Sequence, residues 1–491
     1  MKKVNALAST VQDSDSPVFR AKGCLERLGL IGLSSIEPPL LAALATGNPL
    51  LLIGPHGTAK SLLLTRIATA LGLVFRHYNA SLLNFDDLVG FPLPGKDGSL
   101  QYIRTPAAIW GAGAVIFDEI SRCRPDIQNK LFPIIHERRV QGMLLEDLRF
   151  RWAAMNPPCT EDDDNGYAGS EPLDAALADR FALVVQMPAW ADFTPSQQLE
   201  IIQAEDTPVD KSATQNLQEA IARTCQIIES LEDDFTSSAA RYVQTVVALL
   251  SQAGLQLSPR RANLLYRNVL AVNAASLALD PDAAAAQSTL TALRYSLPQR
   301  AQGIPIPDIK LLAAHREAIR TANLDNADPL RAILCAASPL KRLQLAIQAR
   351  KLSKQVFSGI VADCIAQLGP GAREASVAHL FESGAVGRLN AAVAAQAGEI
   401  YKDVATNPEF SITLHASNGR YRAWGRLKDL LSTLNPATPQ AHLHANALAA
   451  LFSKNMLSTP EDAQVAFESF ANADKYLRLS LIHISEPTRP Y

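Results

Sequence analysis

The stretch Leu50-Leu-Leu-Ile-Gly54-Pro-His-Gly57-Thr-Ala-Lys60-Ser61 decides how the rest of the chain is read. Four apolar residues make a buried strand, a glycine loop follows, and Lys-Ser opens a helix. A loop in that position turns backbone N–H groups inward, and the helix N-terminus adds partial positive charge, so the segment builds a phosphate cradle. Lys60 would reach the β- and γ-phosphates, and the Ser61 hydroxyl would ligate Mg²⁺. The residue before the lysine is Ala59, where the strict motif has glycine, so the loop needs support from elsewhere in the chain. His56 reads as a spacer within the loop, because phosphoryl transfer needs positioning and electrostatics there more than a side-chain base.

Working outward, 491 residues suffice for two to four domains with real cores. Apolar content of 48% against 19% charged residues marks a folded soluble chain, not a disordered one. A formal net charge of −2 argues against a general affinity for nucleic acid. The six cysteines (Cys24, Cys123, Cys159, Cys225, Cys335, Cys364) form no CxxC pair and no metal-ligand spacing with histidine. They are scattered as buried thiols would be, which fits a reducing cytoplasm. Lys2-Lys3 leads into no apolar run, so no signal peptide is expected, and no stretch is long and apolar enough for a membrane span.

The spacing of apolar runs predicts an α/β core over residues 23–190 with a mainly parallel sheet. Its expected strands are Leu50–Ile53, Val74–Tyr78, Ala114–Phe117, Phe150–Met155 and Ala182–Gln186. A polar, loosely ordered segment, 1–22, precedes it, and a hairpin insert near 91–106 turns at Gly95-Lys-Asp-Gly98. Residues 191–300 carry helical periodicity and read as a helical lid, and 301–478 as a mostly helical C-terminal region punctuated by prolines. Ser411-Ile-Thr-Leu-His is a candidate short strand. The tail 479–491 resembles a translated sequencing-adapter sequence and is set aside from the fold; a short natural tail is the other reading.

Four further motifs bear on chemistry. In Ala114-Val-Ile-Phe-Asp118-Glu119 two carboxylates end a buried strand, at the sheet edge where α/β proteins bind ligands. Asp118 would help hold Mg²⁺ through its water shell, and Glu119 would polarise the water that attacks the γ-phosphate. An isolated pair of this kind is more often a solvated acidic turn, but here it follows the loop by about 60 residues, which leaves room for the intervening helix, strand and insert. Phe150-Arg-Trp-Ala-Ala-Met-Asn156 ends a strand on an amide able to bond both the water and a phosphate oxygen. Asp179-Arg180-Phe181 puts an arginine where it could neutralise a neighbouring subunit's γ-phosphate, or form a plain surface pair with Asp179. Ser258-Pro259-Arg260 opens a lid helix, with Ser258 as N-cap. Arg260 would project from its first turn toward a nucleotide held between lid and core; a basic residue there opposes the helix dipole, which favours a functional role. Asn79, ending the second strand, either couples Glu119 to an incoming partner or simply terminates the strand.

In this order the elements resemble an AAA+ ATPase, and most closely the MoxR family, whose loop typically reads Gly-x-Pro-Gly-x-Ala-Lys-Ser/Thr. Gly54-Pro-His-Gly57-Thr-Ala59-Lys60-Ser61 keeps the Ala-Lys pair and has histidine for the usual proline. Asp118-Glu-Ile-Ser-Arg122, the helix and turn from Gln128 to Val140, and Asp179-Arg-Phe181 match further, over about residues 24–290. The resemblance implies a five-stranded parallel P-loop core with an all-α lid. It implies a nucleotide site made by Gly54, Pro55, His56, Gly57, Thr58, Ala59, Lys60, Ser61, Leu62 and Arg260, with ATP and Mg²⁺ as ligands. Ser61 and Asp118 are the implied metal residues. Glu119 is the implied catalytic glutamate, Asn156 looks like sensor 1, Arg180 like the arginine finger and Arg260 like sensor 2. It further implies a homo-oligomeric, usually hexameric, cytoplasmic ring that remodels or matures a protein client, often with a von Willebrand factor A protein as partner. The extended helical C-terminal region is similar to the RavA-like branch. Two other readings stand beside this one: a DNA-associated AAA+ motor gripping phosphates through Lys96 and Arg104, and a non-enzymatic nucleotide-sensing scaffold.

Overall fold

A parallel sheet forms where short apolar runs are buried on both faces. In chain order the strands are β1 (Leu50–Ile53), β2 (Phe75–Asn79), β3 (Phe91–Pro94), β4 (Leu100–Ile103), β5 (Ala114–Asp118), β6 (Arg139–Val140), β7 (Met143–Leu144), β8 (Phe150–Met155) and β9 (Leu183–Gln186). The computed structural model describes residues 23–94, 100–103, 105–159, 170–204, 209–324, 328–406 and 419–482. The expected segment 1–22, the hairpin centre with Lys96, Arg104, the Ser411–His415 strand and the tail beyond 482 lie outside them.

The five expected strands make one sheet of order β2-β5-β8-β1-β9, with every pair parallel. Side chains alternate between its faces. Leu50, Leu52, Ile116, Trp152 and Val185 enter one core, while Leu51, Ile53, Val115, Phe117, Ala153 and Val184 enter the other. Because both sets are apolar, β1, β5 and β9 read as nearly continuous hydrophobic runs; β8 carries Arg151, and the edge strand β2, Phe75-Arg-His-Tyr-Asn79, buries only Tyr78. The helix Lys60–Ala70 buries Leu63, Leu64 and Ile67 on the first face, and the helix Pro125–Glu137 buries Ile127, Leu131 and Ile134 on the second. β3 and β4 pair antiparallel as the expected insert hairpin.

The remainder is largely helical. The lid helices Lys211–Glu229, Asp233–Gln252 and Pro259–Leu279 contribute Leu217, Tyr242 and Leu265 to the first core, so lid and sheet share one hydrophobic interior. The lid does not stop at residue 300. The helix Asp308–Ala322 adds Leu311 and Ala318 to the same core, and its His315 Nδ1 lies 3.0 Å from the Tyr242 hydroxyl. The first compact unit therefore runs through Asn323. The second unit, from Leu324, is built of helices around three small cores, centred on Phe357 and Val361, on Leu427 and Leu448, and on Ala378 and Phe470. Gly371 is required there: its φ is +84°, and a Cβ would lie 2.1 Å from the Ala466 carbonyl oxygen. The helix Pro460–Ile482 continues four residues into the segment that the sequence reading set aside. Among the described residues no helix is long and apolar enough to cross a membrane.

Candidate nucleotide site

The loop after β1 takes its shape from backbone conformations that few side chains tolerate. Gly57 has φ +77°, and Ala59, at the N-cap of the helix Lys60–Ala70, has φ +59°. Gly54 has no room for a side chain, since a Cβ would stand 2.8 Å from Met187 Cβ and 2.9 Å from Thr58 Oγ1. Thr58 Oγ1 donates to the Pro55 carbonyl at 2.8 Å and ties the loop across. His56 is exposed within it.

Lys60 is buried, and its Nζ donates to the Gly54 and Pro55 carbonyls, both at 2.7 Å, and to Asn156 Oδ1 at 3.2 Å. Burial lowers the Lys60 pKa, against the opposing pull of Asp118 and Glu119. Ser61 Oγ donates to Asp118 Oδ2 at 2.5 Å, and His77 Nε2 lies 3.4 Å from the same oxygen. Burial alone would raise the Asp118 carboxyl, but hydrogen bonds from His77, Ser61 and the Glu119 N–H hold it below its ordinary value. Glu119 stands at φ +54°, its N–H donating to Asp118 Oδ1 at 2.9 Å. Among the described residues its carboxylate makes no hydrogen bond or ion pair. A hydroxyl and a carboxylate converging at the start of the helix Lys60–Ala70 are hard oxygen ligands of the kind Mg²⁺ takes, so the donor set fits a Mg²⁺–triphosphate.

Lys60, Ser61, Asp118, Glu119 and Asn156 thus meet at the carboxyl-terminal edge of the sheet, on three adjacent strands. Ser170, which the sequence reading missed, supports them: its hydroxyl donates to the Asn156 carbonyl at 3.2 Å and can accept from the Ser121 hydroxyl, 3.1 Å away. Asn79 Oδ1 accepts from the Ser81 N–H and hydroxyl, the bonding of a strand-ending turn. Cys159 is exposed, contrary to the expectation of buried thiols.

Arg180 and Arg260 are elsewhere. Both belong to a group around Asp179, just before β9, whose first residue pairs with the first residue of β1. Lys60 follows the other end of β1, roughly 13 Å away along the strands. Arg260 Nη1 is 3.8 Å from Asp179 Oδ2, and the Arg180 guanidinium lies over the Phe132 ring at 4.3 Å, with Nη1 donating to the Ala176 carbonyl. Burial, then the nearby Arg260 charge, lowers the Arg180 pKa. Arg260 thus opens the lid helix beside Asp179, at the end of β9 opposite to the one next to the loop. Its neighbour Arg261 makes that attachment. Fully buried, it donates to Asp179 Oδ1 at 3.0 Å and to the carbonyls of Asp179, Phe181 and Ser296 at 2.8, 3.0 and 3.1 Å.

Beside Gly54 and Pro55 a cavity of about 440 Å³ extends toward β9 and the lid, lined also by Ser35, Met187, Tyr295, Arg294, Arg300 and Asp308. Nothing in the local sequence around these lid residues marked them.

Fold and site together define a P-loop α/β core of the AAA type, followed by helical domains. Residues 49–181 match the family model of the AAA domain, dynein-related subfamily. Among solved structures, a Cytophaga hutchinsonii protein provisionally described as an ATPase aligns at 18% identity, covering 61% of this chain and 92% of its own, with a TM-score of 0.42. No curated protein matches the chain.

Proposed function

We propose that the chain is a MoxR-type AAA+ ATPase that hydrolyses ATP with Mg²⁺ in an oligomeric, hexameric ring and uses the cycle to remodel or mature a protein client. The observation that carries this reading is the meeting of Lys60, Ser61, Asp118, Glu119 and Asn156 at one sheet edge. Lys60 and the loop amides bind the β- and γ-phosphates. Ser61 and Asp118 would hold Mg²⁺, which supplies charge neutralisation for the phosphates when bound. Glu119, with its carboxylate unengaged, accepts hydrogen bonding from the attacking water, and Asn156 orients that water against the γ-phosphate. The opposite-end placement of Arg180 and Arg260 supports a shared site: the arginines that neutralise a γ-phosphate come from the adjacent copy. The same ring reading is compatible with a von Willebrand factor A protein as partner and with a cytoplasmic setting.

Steady-state hydrolysis by the full chain tests this. Glu119→Gln should cut turnover by about 100-fold or more while ATP still binds. Lys60→Ala should lose ATP binding itself. Turnover unchanged in Glu119→Gln, or absent from the wild-type chain, would sink the enzymatic reading.

A further inference from the structure

The second unit holds a cavity of its own, of about 340 Å³, among the helices Pro339–Gln348, Ala372–Glu382 and Pro460–Ile482 and the short turn Ala385–Arg388. Gln344, Gln348, Arg350, His379 and Arg388 line it, and among the described residues no carboxylate does. Arg388 is fixed at the wall. Its Nη1 donates to the Ile347 carbonyl at 3.0 Å and its Nη2 to the Ala349 carbonyl at 2.7 Å, while the guanidinium lies over the Phe357 ring at 3.9 Å. Those partners are neutral. Neither Arg388 nor Arg350 has a carboxylate partner among the described residues; burial, then the Arg350 charge, lowers the Arg388 pKa. Two cations held at one cavity without a counter-charge repel each other, a cost that a bound anion removes. Arg350 also begins the basic stretch Arg350-Lys-Leu-Ser-Lys354, which adds to the positive field.

His379 supplies the second observation. It is only 3% exposed and makes no hydrogen bond among the described residues. Its Nδ1 is sealed without a partner, which leaves Nε2 as the ring nitrogen open to the cavity it lines. Burial, then the Arg478 charge, lowers its pKa, so the ring is neutral at pH 7. A proton on the sealed Nδ1 would strand a donor, so it belongs on Nε2, which then donates into the cavity.

We propose that this cavity binds a small phosphomonoester with a hydroxylated body, its phosphate received by Arg350, Arg388 and the His379 Nε2–H. A phosphate dianion balances two guanidiniums and still offers an oxygen to a neutral donor. Gln344 and Gln348 stand one turn apart on the helix Pro339–Gln348, where their amides can both donate to and accept from hydroxyl groups. The volume lies at the lower end of small-molecule sites, which suits a sugar or polyol phosphate. All these residues belong to the second unit, so the inference stands apart from the nucleotide reading.

Calorimetric titration of the full chain with ribose 5-phosphate and α-glycerophosphate tests it, with ribose and inorganic phosphate for comparison. One or both esters should bind at least tenfold more tightly than ribose or inorganic phosphate, and equally well in Lys60→Ala, which disables the phosphate loop. Arg350 is exposed and its side chain bonds nothing in the second unit, so Arg350→Gln should keep the fold and weaken the ester about tenfold. Arg350→Lys should recover part of that loss, and His379→Phe, which keeps a buried ring, should weaken binding as Arg350→Gln does. Binding that disappears in Lys60→Ala would put the phosphate on the nucleotide loop and overturn the proposal. So would the absence of binding to the wild type, or an affinity unchanged by Arg350→Gln. Inorganic phosphate binding as tightly as either ester would overturn the hydroxylated body.

Discussion

Two residues of the site carry backbone strain. Ala59 and Glu119 both hold positive φ, +59° and +54°, where a Cβ crowds the following carbonyl. At Ala59 this strain can be measured separately from chemistry. Ala59→Gly should stabilise the first unit by about 0.5–1 kcal/mol, the relief of strain exceeding the extra chain entropy of glycine. Ala59→Val should destabilise it by more than about 1 kcal/mol, since a β-branched residue fits that region worst. Urea midpoints at constant m-value read both, and a destabilised Ala59→Gly would show that the loop needs the methyl group. At Glu119 the turn that bends the chain out of β5 also brings its N–H onto Asp118, so the two carboxylates differ in surroundings. Asp118 is tied by three donors, while the Glu119 carboxylate is unengaged among the described residues.

Among elements, the lid helix Pro259–Leu279 shows how one position decides an orientation. Ser258 caps it as its sequence suggests, accepting from the Arg261 N–H at 3.0 Å. Its two arginines then divide: Arg260 stays half-exposed and Arg261 is buried against Asp179 and three carbonyls. Arg261→Met should cost about 3–5 kcal/mol, because it strands the Asp179 carboxylate and removes every one of those bonds. Arg261→Lys should recover only part, as one ammonium cannot reproduce a planar fork. Chemical denaturation measures both; a loss under about 1 kcal/mol in Arg261→Met would mean the attachment lies elsewhere. The central strands were legible because burial on both faces forces nearly unbroken apolar runs, and the nucleotide loop because its glycines and Lys-Ser sit at fixed offsets. The choice between Arg260 and Arg261 was not, since neighbours on a helix point about 100° apart and the sequence carries no rotational phase. The β6–β7 hairpin was also missed: its strands are two residues long, too short to alternate, and only Gln141-Gly142, both at positive φ, mark its turn. Arg294 and Arg300 reach the cavity through tertiary packing alone.

Across the whole molecule, each compact unit hides a neutral histidine. His315 in the first is pushed down from its ordinary 6.5 to about 4 by burial, then by Arg316, and bonds Tyr242. His444 in the second is likewise brought to about 4 by burial, stacked between Phe467 and Phe470. A folded pKa below the unfolded one means the unfolded chain binds the extra proton, so each contribution is complete above pH 6.5 and is lost as pH falls toward 4. Both units should weaken by about 2–3 kcal/mol over that window. His444→Phe, which keeps the stacked rings, should flatten the dependence of the second unit, as read by hydrogen exchange at pH 7 and 4.5. An unchanged slope would show that His444 titrates normally. Finally, the separation of Lys60 from Arg180 and Arg260 along β1 and β9 has a genetic consequence. On the ring reading proposed above, Lys60→Ala and Arg180→Ala chains, each inert alone, would break different halves of a shared site. Mixed in equal amounts before assembly, they should complement each other, with about one junction in four carrying an intact lysine from one chain and an intact arginine from the next.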